Sequence, residues 1–272
     1  MRQPLKGVKI IAVEQYGAGP YGTMFLADLG AEVIKIENPK TGGDVSRATG
    51  PHFLGENDSE FFQTFNRNKK SVCLDLKSED GRAAFEKLVA GADAVANNLR
   101  GDQPKKLRIA YEDLKAVKPS IVCAHLSAYG RDNDRAGWPG YDYLMQAEAG
   151  FLSLTGEPDG PPARFGLSMV DFMTGMTMAF GLVSAVLGAR QSGEGGDVDV
   201  SLFDVALHQL SYPATWYLNE GDVTRRLSRS AHPSTVPSQL FKTANGWVLL
   251  MCQTPKFWTI FCEKVGREDW LS

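Results

Sequence analysis

The sequence predicts an α/β protein in which a Rossmann-like, mainly parallel sheet flanked by helices is followed by a second, smaller domain. Two observations predict this fold. Short buried-strand patterns alternate with helical patterns, and such β-α-β alternation is typical of parallel sheets with right-handed crossovers. Near the end of the chain, Asn245-Gly246 separates two apolar runs, which indicates a β-hairpin and therefore a change of architecture.

The predicted elements follow one another in a regular order. Apolar runs predict strands at Val8–Val13, Val33–Glu37, Val72–Leu76, Ala94–Asn97, Ile121–Leu126, Val198–Leu202, Gln239–Thr243 and Trp247–Cys252. Longer patterns predict helices at Pro20–Leu29, Glu79–Ala90, Tyr111–Val117, Tyr143–Gly150, Phe172–Ala189, Asp204–Leu218 and Phe257–Val265. The stretch Arg225–Pro237 is irregular, so we place the large domain at residues 1–224 and the start of the small domain at residues 225–272.

The composition is typical of a soluble enzyme. The formal net charge is −3 and 43% of residues are hydrophobic, and no basic stripe with interleaved aromatics suggests a nucleic-acid partner. The N-terminus has no apolar run of the signal-peptide type, so we expect a cytoplasmic protein. The cysteines and histidines are scattered without metal-ligand or disulfide spacing, so we predict free thiols and no metal site.

Asp171 is the most prominent candidate site residue, because it precedes the 18 uncharged residues Phe172–Ala189. That run is long enough to cross a membrane, but its many small residues favour a helix packed closely within a soluble core. The local pattern leaves two interpretations of Asp171 open. It is either a helix N-cap or a nucleophilic carboxylate kept ionised by the helix end, where water is scarce.

The first predicted βα turn also allows two interpretations. Gly17-Ala-Gly-Pro-Tyr-Gly22 follows a strand, and Glu37 lies at the end of the next strand. This is the dinucleotide fingerprint, in which glycines admit a pyrophosphate to a helix N-terminus, so an NAD-dependent oxidoreductase is one hypothesis.

A set of motifs in a fixed order resembles the class III CoA-transferases, which include formyl-CoA transferase and carnitine CoA-transferase and are related to alpha-methylacyl-CoA racemase. The resemblance extends over nearly the whole chain. Its motifs are Leu5-Lys-Gly-Val-Lys-Ile10, Gly17-Ala-Gly-Pro20, Leu26–Glu37, Gly42-Gly-Asp44, Asn66–Ser71, Leu74-Asp-Leu-Lys77, Gly156–Pro162 and Asp197–Asp204.

The resemblance implies a role for individual residues. Asp171 matches the catalytic aspartate of the family. The positions implied to bind CoA are Gly17, Ala18, Lys77, Asn98 and Tyr129. Asn66–Lys70 is either a phosphate neighbour or an ordinary surface loop.

The implied activity is the transfer of CoA from an acyl-CoA to a carboxylic acid, through an aspartyl anhydride and an aspartyl-CoA thioester. Because activation is conserved from thioester to anhydride to thioester, neither ATP nor a metal is expected. A carboxylate is a weak nucleophile, so the rate must come from positioning and from hydrogen-bond donors aimed at the oxyanion.

Several departures from the family pattern narrow this expectation. Formyl-CoA transferases have Gln at the position of Gly17 and Lys near Ser127, which argues against formate or oxalate as substrate. The racemases have a basic histidine where this chain has Tyr141, and tyrosine, with a pKa near 10, is a poor base at neutral pH. A glycine-rich lid is missing from Ser228–Ser234, in which His232 either lines the pocket or packs structurally. A transferase is therefore favoured over a racemase.

Family members are longer than this sequence and form dimers of interlocked ring-like chains. We therefore expect the 272 residues to be incomplete relative to the family, and the natural protein to be a homodimer. A non-catalytic fragment that binds CoA or a partner chain remains an alternative function.

Overall fold

The computed structural model describes residues 3–271 and confirms the mixed α/β architecture. The strands are β1 (Lys9–Val13), β2 (Glu32–Glu37), β3 (Phe53–Gly55), β4 (Asp58–Ser59), β5 (Lys69–Cys73), β6 (Ala94–Asn97), β7 (Val122–Ser127), β8 (Gly196–Ser201), β9 (Ser238–Lys242) and β10 (Trp247–Met251). The helices are α1 (Ala18–Asp28), α2 (Glu60–Asn66), α3 (Glu79–Ala90), α4 (Gln103–Leu107), α5 (Tyr111–Leu114), α6 (Asp142–Glu148), α7 (Phe151–Leu154), α8 (Met169–Ser192), α9 (Leu202–Gln209), α10 (Ser211–Glu220) and α11 (Pro255–Val265).

The central sheet has six parallel strands in the order β5-β2-β1-β6-β7-β8. From β1 the chain first builds outward through β2 to β5, and then returns to add β6 on the other side of β1. In open α/β sheets of this kind, ligands bind outside the carboxyl ends of the strands at the point where the strand order reverses. The sheet topology therefore directs attention to the ends of β1 and β6.

Two helical layers cover the sheet. On one face, α3 and the turn helices α4 and α5 bury an apolar cluster that includes Phe85, Ile109 and Leu114. On the other side, α8 packs against α1, β7 and β8. Its length and apolar composition would also suit a membrane crossing, but it buries one stripe at helical spacing, from Val170 through Met178 to Val186, in these contacts.

Two predicted elements differ from the structure for clear reasons. β5 ends at Cys73, where its pairing with β2 ends. Leu74 and Leu76 continue the apolar pattern beyond the strand because they pack against the core cluster. The single helix predicted at Asp204–Leu218 is broken between α9 and α10, since Pro213 cannot donate a hydrogen bond to the carbonyl of Gln209.

The chain divides into two compact units, which differ from the predicted domains. The first contains the residues up to Met145 together with Leu167–Gln209, and the second contains Gln146–Gly166 together with the residues from Leu210 onward. The predicted boundary at residue 225 therefore falls inside the second unit. That unit holds the antiparallel hairpin of β9 and β10, as the Asn245-Gly246 turn predicts.

The crossing of α1 and α8 depends on two glycines. A Cβ atom on Gly22 would clash with the backbone carbonyl of Gly175, and one on Gly175 would clash with the carbonyl of Ala18. The two backbones therefore touch without intervening side chains. This close approach sets the distance between the start of α1 and the first turn of α8.

We expect Gly175→Ala to lower the free energy of unfolding by about 1–3 kcal/mol, because the added methyl group forces the two helices apart. Gly188→Ala on the same helix is the matched control, since a Cβ atom there meets no neighbour within 4 Å. It should raise the free energy of unfolding by about 0.5–1 kcal/mol through helix propensity alone. Urea unfolding of both variants measures the difference. Equal stabilities would show that the glycine crossing is not tightly packed.

Candidate active site

A cleft of about 830 Å³ opens where β1, β6 and β7 end. It lies at the reversal of strand order, where the sheet topology predicts a ligand site. Asp171 reaches it from the first turn of α8. The residues that line the cleft include Gln15, Gly17, Ala18, Asn98, Tyr141 and Asp171.

Asp171 is not the N-cap of α8. The N-cap is Ser168, so Asp171 occupies the third helical position, and the capping interpretation is wrong. Its backbone N–H, one of the first-turn donors that lack an intrahelical partner, donates to Oδ2 of Asp142 at 3.0 Å. The buried Asp142 carboxylate therefore accepts a hydrogen bond from the first turn of α8. The Asp171 side chain is left to the cleft.

The surroundings of Asp171 favour its neutral form. Burial, together with the nearby charge of Asp142, raises the pKa of Asp171 to about 7. The sequence suggested instead that the helix end would keep this carboxylate ionised. A carboxyl group that titrates near neutral pH beside a cleft is a common property of functional sites.

Gly17 lies against the Asp171 carboxylate. A Cβ atom on Gly17 would come within 3.0 Å of Asp171 Oδ2. Gly17 is the N-cap of α1, and Ala18 is the first residue of that helix. A side chain at this position would crowd the carboxylate as it is placed here, and glycine leaves it room beside the turn.

Asn98 joins the ends of β1 and β6. Its amide nitrogen donates to the Gln15 carbonyl at 2.7 Å, and its amide oxygen accepts from the Gln15 N–H at 2.8 Å. The side chain also packs against Gly19, where a Cβ atom would lie 2.7 Å from that of Asn98. The residue that the family resemblance implies in CoA binding therefore fixes the shape of the cleft.

Lys77 lines a neighbouring cavity of about 210 Å³, which has apolar walls that include Ile36 and Leu74. Gln15 and Leu99 line both this cavity and the cleft of Asp171. The two spaces are therefore adjacent. On its outer side, Lys77 borders a surface depression together with Lys106 and Arg108, which the sequence patterns did not identify.

Tyr129 lies in an aromatic group beside the cleft. Its ring is 6.0 Å from that of Trp138 and 5.8 Å from that of Phe203, and the Arg135 guanidinium lies 5.3 Å from the ring centre. Of this group, Trp138 lines the cleft. Tyr129 thus supports the wall that Trp138 presents.

The other predicted residues have different surroundings. Tyr141 lines the cleft and is 67% exposed. His232 lies in the second unit, where its ring is 6.2 Å from Tyr212 and Nδ1 accepts from the Thr235 N–H. The segment Asn66–Lys70 runs from the end of α2 into β5. In it, Arg67 binds Asp28 and Lys70 binds Glu32 at the amino end of the sheet.

The structure disfavours the dinucleotide hypothesis. Glu37, which would have to bind a ribose, is buried and already binds Arg47 and Ser71. The glycines of the fingerprint serve packing instead, since Gly19 contacts Asn98 and Gly22 contacts α8. Gly17 faces the carboxylate of Asp171, which would repel a pyrophosphate.

Comparison with known proteins agrees with this geometry. The sequence pattern of CoA-transferase family III matches residues 5–272. The chain belongs to this family. Succinate–glutarate CoA-transferase of Agrobacterium fabrum is 37% identical over 92% of the chain. Succinyl-CoA:mesaconate CoA-transferase of Haloarcula hispanica is 33% identical over 97% of it.

The fold of this family is shown by solved structures as well. A CaiB/BaiF family protein from Brucella suis superposes with a TM-score of 0.87 at 32% identity, covering 99% of this chain and 71% of that protein. The chain spans 63% of the length of the Agrobacterium enzyme and 68% of the Haloarcula enzyme.

We expect Asp171→Asn to be more stable than the wild type at pH 8. The folded-state pKa of Asp171 lies above its ordinary value of 3.8, so the folded state binds more protons than the unfolded state between about pH 4 and 7. The wild type therefore loses stability as the pH rises through that window, whereas asparagine has no proton to lose. The partial exposure of Asp171 limits the expected gain to about 1–3 kcal/mol.

Urea unfolding at pH 8 and at pH 4 measures this effect. The difference between variant and wild type should shrink at the lower pH. A variant that is less stable than the wild type at pH 8 would show that the Asp171 carboxylate is not strained by its surroundings.

Proposed function

We propose that this chain carries the CoA site and the nucleophile of an enzyme that transfers CoA between two carboxylic acids. The observation that supports this most directly is the Asp171 carboxylate, set in a cleft against Gly17 at the strand-order reversal. The two named relatives act on dicarboxylic acids or their CoA thioesters. A dicarboxylic acid is therefore the substrate class that we propose.

CoA is a long polyanion with an adenine at one end and a thiol at the other. The depression at Lys77, Lys106 and Arg108 is lined by four basic residues and two glutamates, and this excess of positive charge suits the phosphates. The apolar cavity beside it suits the adenine, and the passage along Gln15 and Leu99 leads to the cleft. This path would deliver the thioester to Asp171.

The reaction that follows needs only one carboxylate from the protein. Asp171 attacks the thioester carbonyl, the bond from that carbon to sulfur breaks, and CoA leaves as thiolate, so that a mixed anhydride joins the acyl group to Asp171. The thiolate then attacks the Asp171 carbonyl, which forms an aspartyl-CoA thioester and releases the first acid. The acceptor carboxylate repeats these steps in reverse, forms a second anhydride, and leaves as the new acyl-CoA with Asp171 regenerated.

The start of α1 offers donors for the oxyanion that each step creates. The N–H groups of Ala18 and Gly19 belong to the first turn, whose N–H groups have no intrahelical partner. Ala18 lines the cleft next to Gly17. Donors fixed in advance at such a position stabilise developing negative charge without reorganisation.

We expect Asp171→Ala and Asp171→Asn to reduce CoA transfer at least about 1,000-fold, since both variants lack the nucleophile. In the wild type, kcat should rise as the pH passes through about 7, where Asp171 loses its proton. The assay follows acyl-CoA exchange between succinyl-CoA and a panel of dicarboxylic acids. Hydroxylamine or borohydride added during turnover should modify Asp171, which peptide mass spectrometry detects.

The racemase alternative makes a different prediction, which a separate assay tests. A racemase would incorporate deuterium from heavy water at the alpha carbon of a 2-methylacyl-CoA. The phenol of Tyr141 stands where that reaction needs a base, so we expect no exchange. Rapid deuterium incorporation, or an unmodified Asp171 in the trapping experiment, would contradict the transferase mechanism.

We also propose a homodimer. The side of α8 opposite its buried stripe exposes Met176, Phe180 and Leu187, and Phe180 is 77% exposed. Exposed apolar residues at helical spacing usually mark an interface. Sedimentation velocity should give about twice the chain mass, and Phe180→Glu should shift the protein toward monomer. A monodisperse wild-type monomer would rule this proposal out.

A further inference from the structure

The turn between β1 and α1 forms one wall of the cleft and is held in a demanding conformation. Tyr16 has φ = 67°, which places a residue with a side chain in the left-handed region. The next residue, Gly17, lies against the Asp171 carboxylate. Such a conformation persists only where the surrounding structure imposes it.

Two buried side chains, Asp44 and Lys35, hold the turn in this conformation. Asp44 Oδ1 accepts from the Tyr16 N–H at 3.0 Å and from the N–H and hydroxyl of Ser46 at 2.9 and 2.8 Å. The Nζ atom of Lys35 lies 2.7 Å from Asp44 Oδ2 and donates to the Glu14 carbonyl at 3.1 Å. The pair therefore holds the turn at Glu14 and at Tyr16.

Further charges surround this pair. The Glu14 carboxylate accepts from the Thr23 hydroxyl on α1 at 2.8 and 2.9 Å, and lies 2.7 Å from Lys69 Nζ. The side chains of Glu14, Lys35 and Asp44 are at most 1% exposed. With Lys69, the cluster contains two acids and two bases.

Burying four charges costs free energy that apolar residues of similar size would not require. Their contacts are directed at backbone atoms of the turn and at the first turns of α1, rather than only at each other. Lys69, for instance, also donates to the Pro20 carbonyl at 2.8 Å. These contacts therefore fix the position of the turn between β1 and α1.

We propose that Lys35 and Asp44 are positioning residues, which hold Tyr16 and Gly17 so that the start of α1 is aligned with the Asp171 carboxylate. The proposal rests on the transferase function proposed above. Neither residue touches the acyl group; each acts through the backbone of the turn. Misplacing that turn would weaken the oxyanion donors at Ala18, whereas the depression at Lys77, Lys106 and Arg108 contains no residue of the turn.

The test compares Asp44→Asn and Lys35→Met with Lys70→Met. The control lysine lies on the strand next to that of Lys35 and also pairs with a carboxylate, Glu32 at 2.6 Å, but at the amino end of the sheet. In folded Asp44→Asn and Lys35→Met we expect kcat to fall about 10- to 100-fold. KM for acyl-CoA should stay within about threefold of wild type in Lys35→Met, which supplies the KM comparison because Asp44 also lines the proposed adenine cavity. Lys70→Met should retain both constants.

Ser46→Ala provides a milder variant that keeps every charge. It removes only the hydroxyl bond to Asp44, and kcat should fall about threefold. A second measurement follows hydrogen exchange of the peptide containing Tyr16, which should accelerate in Asp44→Asn but not in Lys70→Met. A merely structural role would lower the folded fraction without changing kcat of the folded enzyme.

The outcomes separate the two proposals. An inactive wild-type chain would remove the transferase function. Hydrogen exchange at Tyr16 would then decide separately whether Lys35 and Asp44 hold the turn. Unchanged exchange at Tyr16 in Asp44→Asn would overturn the proposal. So would an unchanged kcat in folded Asp44→Asn, or an equal loss of kcat in Lys70→Met.

Discussion

The contact between the backbones of Gly22 and Gly175 is the constraint on which the site depends. It brings the first turn of α8 to the start of α1, although more than 150 residues separate these glycines in the sequence. With side chains between the two helices, the Asp171 carboxylate would move away from Gly17, and the proposed nucleophile would no longer lie beside the start of α1. Helix packing and chemistry are in this way set by the same pair of glycines.

The position of Asp171 lowers the stability of the folded chain. Burial and the charge of Asp142 both raise the pKa of Asp171, so the ionised form is costly in the folded chain. If Asp171 is the nucleophile proposed above, this cost favours the reaction, because a poorly solvated carboxylate is more reactive than one that water stabilises. Asp142 contributes twice, since it also accepts the N–H of Asp171 and thereby orders the helix end.

The same glycine pattern can have two different structural roles. In a dinucleotide site, the glycines of this turn make space for a pyrophosphate, and an acidic residue at the end of the second strand binds a ribose. Here Gly19 and Gly22 make space for Asn98 and α8, and Glu37 is occupied by Arg47. A Rossmann-like topology therefore fixes where a ligand site lies, while the side chains around the turn decide its chemistry.

The sequence by itself determined the alternation of strands and helices, the hairpin at Asn245-Gly246, and the family to which the chain belongs. These features depend on local periodicity, turn residues and ordered motifs, all of which can be read along the chain.

The sequence also pointed to Asp171 and to the glycines of the first turn. It misplaced β5, because Leu74 and Leu76 are apolar for reasons of core packing, and the local pattern left a helix cap open as one of two interpretations of Asp171. Only the tertiary structure decided that Asp142 and Gly17 flank this carboxylate, that Asn98 holds Gln15, and that Lys35 and Asp44 lie beneath the turn. Those relations join residues that are remote in sequence, and burial, which sets the pKa of Asp171, is a property of the packed chain alone.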